Sequence, residues 1–229
     1  MTATRTRTAT TATLRVENLG IAYVTAEGRP FDLVTGLSFE AGPGELVCLA
    51  GRSGSGKTSI LRQLIGLADG ATGTISWNDR TLASMDASDT ADLRRRLAAY
   101  LDQEAGLVEE LTCLENVVLP AVPNGRRQAK RAVARAREHL ERLGLAKREG
   151  VRPATLSGGE RQRTVLARVL TAGTPAIIAD EPTASLDRSW AEAVIMELRN
   201  HADAGGTVVT ASHDPGLAEA ADRVIRIET

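Results

Sequence analysis

The sequence predicts an α/β fold, a partly parallel sheet with a helical insertion in its middle. Strand-like and helix-like segments alternate at both ends of the chain. Between them, from Asp86 to Leu143, the pattern is mostly helical and rich in Ala, Leu and Arg. A third observation supports these two: the apolar run Leu46 to Ala50 leads into a loop of Gly and Ser, then into a helix with an apolar face.

Alternation begins at Leu14-Arg15-Val16-Glu17-Asn18-Leu19, and Leu33 to Phe39 reads as a second strand. Gly42-Pro43-Gly44 turns the chain into Leu46 to Ala50. The helix after the loop carries Ile60, Leu61, Leu64, Ile65 and Leu67 on one face. Gly70 and Gly73 end that segment, and Thr74 to Trp77 reads as a strand. Ala98 to Leu101 is strand-like. Pro120, Pro123 and Gly125 break the helical middle, after which Ala129, Val133, Ala136, Leu140 and Leu143 recur at helical spacing. Then follow a strand over Ala176 to Asp180, a helix over about Arg188 to Ala202, and a strand over Thr207 to Ala211. A short helix near Pro215 to Ala221 and a strand over Arg223 to Ile227 complete the chain.

Composition narrows the class. With 42% hydrophobic and 25% charged residues over 229 positions, the chain can bury a sizeable core. A net charge of −1 gives no field for nucleic acid, and 3% aromatic residues leave few platforms for stacking bases. Cys48 and Cys113 are too few for a disulfide framework and sit among apolar neighbours, which fits a reducing, cytoplasmic location. No apolar run approaches the ~18 residues that span a bilayer. Met1 to Thr13 has no hydrophobic segment of the secretory kind and reads as a short disordered tail. The basic segment with Arg126, Arg127, Lys130, Arg131, Arg135 and Arg137 reads as a solvated helix face softened by Glu138 and Glu141.

Gly51-Arg52-Ser53-Gly54-Ser55-Gly56-Lys57-Thr58 matches G-x-x-x-x-G-K-[ST] in the required strand–loop–helix context. Glycines let successive N–H groups point inward at phosphate oxygens, and the next helix adds its positive end. Lys57 suits the β and γ phosphates, and the Thr58 hydroxyl suits Mg²⁺. Ser59 belongs to the same nucleotide-binding stretch. Ala176-Ile177-Ile178-Ala179-Asp180-Glu181 is a strand buried on both faces that ends in two acids. Strand ends of this kind are where open α/β sheets hold ligands. Asp180 suits Mg²⁺; Glu181, turned elsewhere by strand alternation, suits a general base for an attacking water. Gln103 on its own reads as a surface glutamine; beside a phosphate loop its oxygen suits Mg²⁺ or that water. His213 follows another buried strand. It suits the γ-phosphate, or equally a helix start capped by Ser212 or Asp214.

Leu156-Ser157-Gly158-Gly159-Glu160-Arg161-Gln162-Arg163 resembles the LSGGQ signature of the ATP-binding cassette (ABC) ATPases, with Glu160 in place of Gln. It is a second glycine-rich helix start, able to bind an anion as the first does. The resemblance covers nearly all of residues 14–229, and the motifs fall in the family's order: phosphate loop, Gln103, signature, Asp180-Glu181, Ser185-Leu186-Asp187, His213. It implies a RecA-like P-loop NTPase core over 14–103 and 172–229, with an antiparallel β edge and a helical subdomain over 104–171. It also implies ATP and Mg²⁺ as ligands, Glu181 as base and His213 as sensor of the γ-phosphate. Tyr23 is similar to the aromatic residue on which the family stacks adenine. Asp187 falls at a dimer interface, and Ser157, Gly158, Gly159 and Glu160 meet the nucleotide of the opposing subunit.

The partners implied are a second copy or a homologous ATPase subunit, and a separate integral membrane permease subunit that would hold the chain on the inner face of the cell membrane. Leu111 to Val117 and Val151 to Ser157 are similar to the ATPase subunits of lipoprotein-releasing and macrolide-exporting transporters, which points to export. The alternative is a mechanical or regulatory ABC ATPase of the cell-division type. The apolar stretch after Gln103, with Leu107 and Val108, is the expected contact for the membrane partner.

Overall fold

The computed structural model describes residues 11–24, 28–103, 106–121 and 126–227. In chain order the elements are β1 (Leu14–Val24), β2 (Pro30–Ala41), β3 (Leu46–Ala50), α1 (Lys57–Leu64), β4 (Thr72–Trp77), β5 (Arg80–Thr81), α2 (Ala87–Arg96) and β6 (Ala98–Leu101). After these come α3 (Cys113–Val118), α4 (Arg126–Arg142), α5 (Gly158–Ala172), β7 (Ala176–Asp180), α6 (Arg188–Asp203), β8 (Thr207–Ser212), α7 (Pro215–Ala220) and β9 (Arg223–Arg226).

Two sheets result. One is antiparallel, in the order β2-β1-β4-β5; the other is parallel, in the order β6-β7-β8-β3-β9. Residues of β7 alternate between the two apolar clusters. Ile177 and Ala179 face the side covered by α3, α4, α5 and α6; Ala176 and Ile178 face the side of α1 and the antiparallel sheet. Burial on both faces is why this strand is a continuous apolar run. Helices α3, α4 and α5 pack on one another, and their cluster is continuous with one face of the parallel sheet through Leu101, Ile177 and Val208.

The topology brings four loops to one edge. Gln103 follows β6, Asp180 and Glu181 end β7, His213 follows β8, and the 51–58 loop follows β3. All four lie at the carboxyl ends of parallel strands, where such sheets bind ligands.

Several expectations need correction. Ala12, read as part of the tail, is buried, and its carbonyl accepts from Thr207 Oγ1; residues 1–10 lie outside the described residues. Leu67 lies beyond the end of α1 and is 48% exposed, so the apolar face of that helix stops at Ile65. On α4 the deeply buried positions are Ala132, Ala136 and Leu140 rather than Ala129 and Val133. Leu107 is buried in the core, whereas Val108 is exposed. Gly73 does not end a segment but sits inside β4 at φ +85°; a Cβ there would stand 2.3 Å from the Asn18 carbonyl oxygen.

Candidate functional site

Ser53, Gly54, Gly56, Lys57, Thr58, Ser59, Gln103, Glu181 and His213 line one cavity of about 450 Å³, together with Leu33 and Ala184. The loop can curl because its glycines take backbone angles that other residues avoid. Gly54 and Gly56 have φ of +82° and +90°. Gly56 caps α1, and a Cβ on it would come within 2.9 Å of Leu33. Gly51 is tight for another reason: its Cβ would meet Ser55 Oγ at 2.6 Å and the Ile227 carbonyl at 3.0 Å. Ser55 itself is buried under the loop, its hydroxyl without a hydrogen-bond partner.

Lys57 is 6% exposed. Its Nζ donates to the carbonyls of Gly51 at 2.8 Å and Arg52 at 3.1 Å, and stands 3.7 Å from Glu181 Oε1. Glu181 Oε2 lies 2.9 Å from His213 Nδ1 and accepts from Ser212 Oγ at 3.3 Å. One carboxylate thus joins the lysine of the loop to the histidine after β8. Strand alternation alone does not aim it. Glu181 has φ +44°, a left-handed conformation costing a non-glycine residue about 1–3 kcal/mol. That twist ends β7, and the Glu181 N–H is satisfied by the Ala211 carbonyl at 2.9 Å.

Asp180 is fully buried beside the loop. Burial holds its carboxyl above the ordinary range, opposed by a hydrogen bond from Thr58. Tyr100 Oη is 3.5 Å from its Oδ2, while Oδ1 has no hydrogen-bond partner. An unpaired buried carboxylate oxygen beside a threonine hydroxyl is the kind of donor set that a hard cation satisfies.

His213 is 71% exposed on its side chain. The helix α7 that follows is capped by Asp214, which accepts from Gly216 N at 2.9 Å. The cap therefore falls to Asp214, and His213 faces the cavity. Tyr23 is half-exposed and does not line the cavity, but its Oη is 3.1 Å from Ser59 Oγ, which does.

The signature residues lie elsewhere. Ser157 caps α5: its Oγ accepts from Glu160 N at 3.2 Å, and Glu160 Oε2 accepts from Ser157 N at 2.9 Å. Glu160 Oε1 is also held by Arg148 at 2.8 Å, so this acid is engaged within its own chain. Its carboxyl lies below the ordinary range, chiefly through the bond from the Ser157 backbone. The two glycines differ. Nothing stands near the missing Cβ of Gly158, whereas one on Gly159 would meet the Ser185 carbonyl at 3.1 Å. Asp187 caps α6 through Trp190 N at 3.1 Å and accepts from Ser189 Oγ at 2.7 Å. Neither the signature residues nor Asp187 line the cavity.

The ABC transporter family model matches residues 34–184, more than half the chain. The chain belongs to the ABC transporter family. Its cassette is similar to the macrolide export ATP-binding/permease protein MacB 1/2 of Paracoccus denitrificans (strain Pd 1222), 38% identical over 214 residues. These are 93% of this chain and 32% of that protein. MacB of Escherichia coli (strain K12) is 41% identical over 197 residues, 86% of this chain and 30% of that protein. The chain thus spans about a third of the length of the curated relatives it matches. The ATP-binding cassette MJ0796, in its dimeric post-hydrolysis state bound to ADP and Pi, matches with a TM-score of 0.85 at 26% identity, covering 94% of each chain. A second dimeric structure of that cassette matches at 0.86 and 28% identity. The fold is that of an ABC cassette. Among the described residues no helix is long and apolar enough to cross a membrane.

Leu33, Ala184 and Ser212 escaped sequence reasoning. Ser212 carried a signal, being next to His213 at a buried strand end. Leu33 and Ala184 carried none, since only the fold brings them to the cavity.

Proposed function

We propose that two copies of this chain, or one copy and a homologous ATPase subunit, close around two Mg·ATP and so drive an integral membrane permease at the inner face of the cell membrane, in the direction of export. One observation carries the pairing. The cavity already gathers a phosphate loop, Glu181 and His213, yet the second glycine-rich helix start at Ser157 opens outside it, exposed. A helix N-terminus suited to anions and turned away from its own chain's nucleotide site is suited to another's. In this reading residues 104–171 form the helical subdomain that carries the signature, and 14–103 with 172–229 form the core.

The triphosphate lies along the loop, with Lys57 moving from its carbonyl partners to phosphate oxygens. Tyr23 offers its ring to adenine from beside Ser59. Thr58, Gln103 and Asp180 are the oxygen donors assigned to Mg²⁺; the support is the unpaired, buried Asp180 Oδ1. The ion, when bound, offsets phosphate charge. Glu181 takes the proton of the attacking water, with His213 and Ser212 holding its Oε2. Export through a permease rests on likeness to proteins named for macrolide export and permease function.

The test is the Glu181→Gln chain, with its mass in solution measured with and without Mg·ATP. Turnover should fall by about 10²–10⁴-fold, the usual share of a general base, while ATP binding persists and a dimer accumulates. A variant that binds ATP yet stays monomeric would sink the pairing, and one with unchanged turnover would remove Glu181 as base.

A further inference from the structure

Three segments meet at one arginine. Arg163, on the first turns of α5, is 7% exposed. Its Nε donates to the Gly159 carbonyl at 3.2 Å and one terminal nitrogen donates to the Leu143 carbonyl at 2.7 Å. Its guanidinium carbon stands 3.8 Å above the ring centroid of Trp190, well within the reach of a cation–π contact. Trp190 lies on the first turn of α6, and its backbone N–H donates to the capping Asp187. The far edge of the indole rests on Gly144, where a Cβ would stand 2.0 Å from the ring. The turn at Ser157–Glu160 and the loop before α6 also touch directly, since Gly159 leaves just enough room for the Ser185 carbonyl. Among the described residues, Trp190 is the one aromatic ring that faces Arg163.

We propose that Trp190 is a positioning residue for the half of the site that serves the second copy: its indole holds the Arg163 guanidinium, and Arg163 holds the Ser157–Glu160 turn in register with the Ser185–Asp187 loop. This rests on the reading that those two segments face the nucleotide of a second copy. A guanidinium anchored by two carbonyls and one ring face has a single orientation, so the signature backbone to which it bonds keeps one too. Loss of the ring frees Arg163 to swing and lets the turn relax away from the loop. The phosphate loop, on β3 and α1, takes no part in this junction.

The experiment compares Trp190→Leu, which keeps apolar volume over Gly144, with Trp190→Phe, which keeps a ring face, both in the Glu181→Gln background. The Mg·ATP concentration at half-dimerisation should rise about five- to tenfold in the leucine variant, the range that loss of one such contact implies. The phenylalanine variant should recover most of that shift, and ATP affinity of the monomer should be the same in all three. Equal dimerisation midpoints for parent, leucine and phenylalanine variants would overturn the proposal, and so would equal losses in leucine and phenylalanine. A second measurement needs no dimer. Amide hydrogen exchange of the chain without nucleotide should speed up over 157–161 in Trp190→Leu while peptides over 51–58 are unchanged; unaltered exchange over 157–161 would also overturn it. If the parent itself binds ATP and stays monomeric, the pairing reading fails, and the exchange result alone decides the role of Trp190.

Discussion

At the scale of single residues, the chain separates two acids that stand side by side in sequence. Asp180 ends β7 fully buried beside Thr58, and Glu181, one residue on, turns through φ +44° to reach Lys57 and His213. Residue type and position at a strand end were enough to single both out. The left-handed twist was not legible, because it depends on neighbours distant in sequence: the Glu181 N–H pairs with the Ala211 carbonyl of β8 while its carboxylate reaches Lys57 and His213. Lys57 was legible by motif and by scarcity, being one of three lysines against a chain of arginines. Its Nζ rests on the Gly51 and Arg52 carbonyls, and in the proposed function phosphate oxygens take their place. Lys57→Ala should therefore leave the fold intact and weaken ATP binding. Loss of a charged hydrogen bond of about 1.5–3 kcal/mol corresponds to roughly ten- to a hundredfold in Kd. Calorimetric titration with ATP checks this, and an unchanged Kd would contradict the phosphate role.

At the scale of elements, apolar periodicity located every strand of the parallel sheet but misplaced features that depend on a neighbour. The α4 stripe shifts to Ala132 because α3 and α5 decide which face is covered. Gly73 read as a terminator, yet it lies within β4 because the close approach to Asn18 across the β1 irregularity needs a residue without a side chain. The turn from β3 into α1 shows the same dependence in a testable form. Gly54 and Gly56 share positive φ, but only Gly56 is pressed by a neighbouring strand, with Leu33 and Val34 within 3.0 Å of a would-be Cβ. Gly54→Ala should cost about 1 kcal/mol, from backbone strain alone. Gly56→Ala should cost more, about 2–4 kcal/mol, as overpacking adds to the strain. Urea denaturation of both variants measures the difference. Equal losses would mean that Leu33 yields freely and that the steric reading is wrong.

At the scale of the whole molecule, the strand order β6-β7-β8-β3-β9 is what makes a site out of segments spread from residue 51 to residue 213. Sequence supplied the segments in order along the chain but not their order in space, which is fixed only when both faces of the sheet are covered. That covering also half-buries two histidines away from the site, and they set a dependence of stability on pH. Burial, with Arg142 adding to it, holds His139 below its usual pKa, and its Nδ1 is buried without a partner. Burial does the same to His201, opposed by its bond to the Pro175 carbonyl. For a base whose folded pKa is depressed, the unfolded chain binds the proton first. Stability is then full above the free-histidine pKa of about 6.5 and drains away as pH falls below it. Asp180 and Glu197, raised by burial, work in the opposite sense, so the total profile mixes both. A difference isolates one term. His139→Leu extends the apolar stripe of α4 beside Leu140 and removes the half-buried imidazole. Its melting temperature should exceed that of the parent by a margin that widens as pH drops from about 7.5 to about 5.5, through the range where free histidine titrates. Two melting curves that stay parallel across that range would show that His139 takes its proton equally well folded and unfolded, and would remove it from the account.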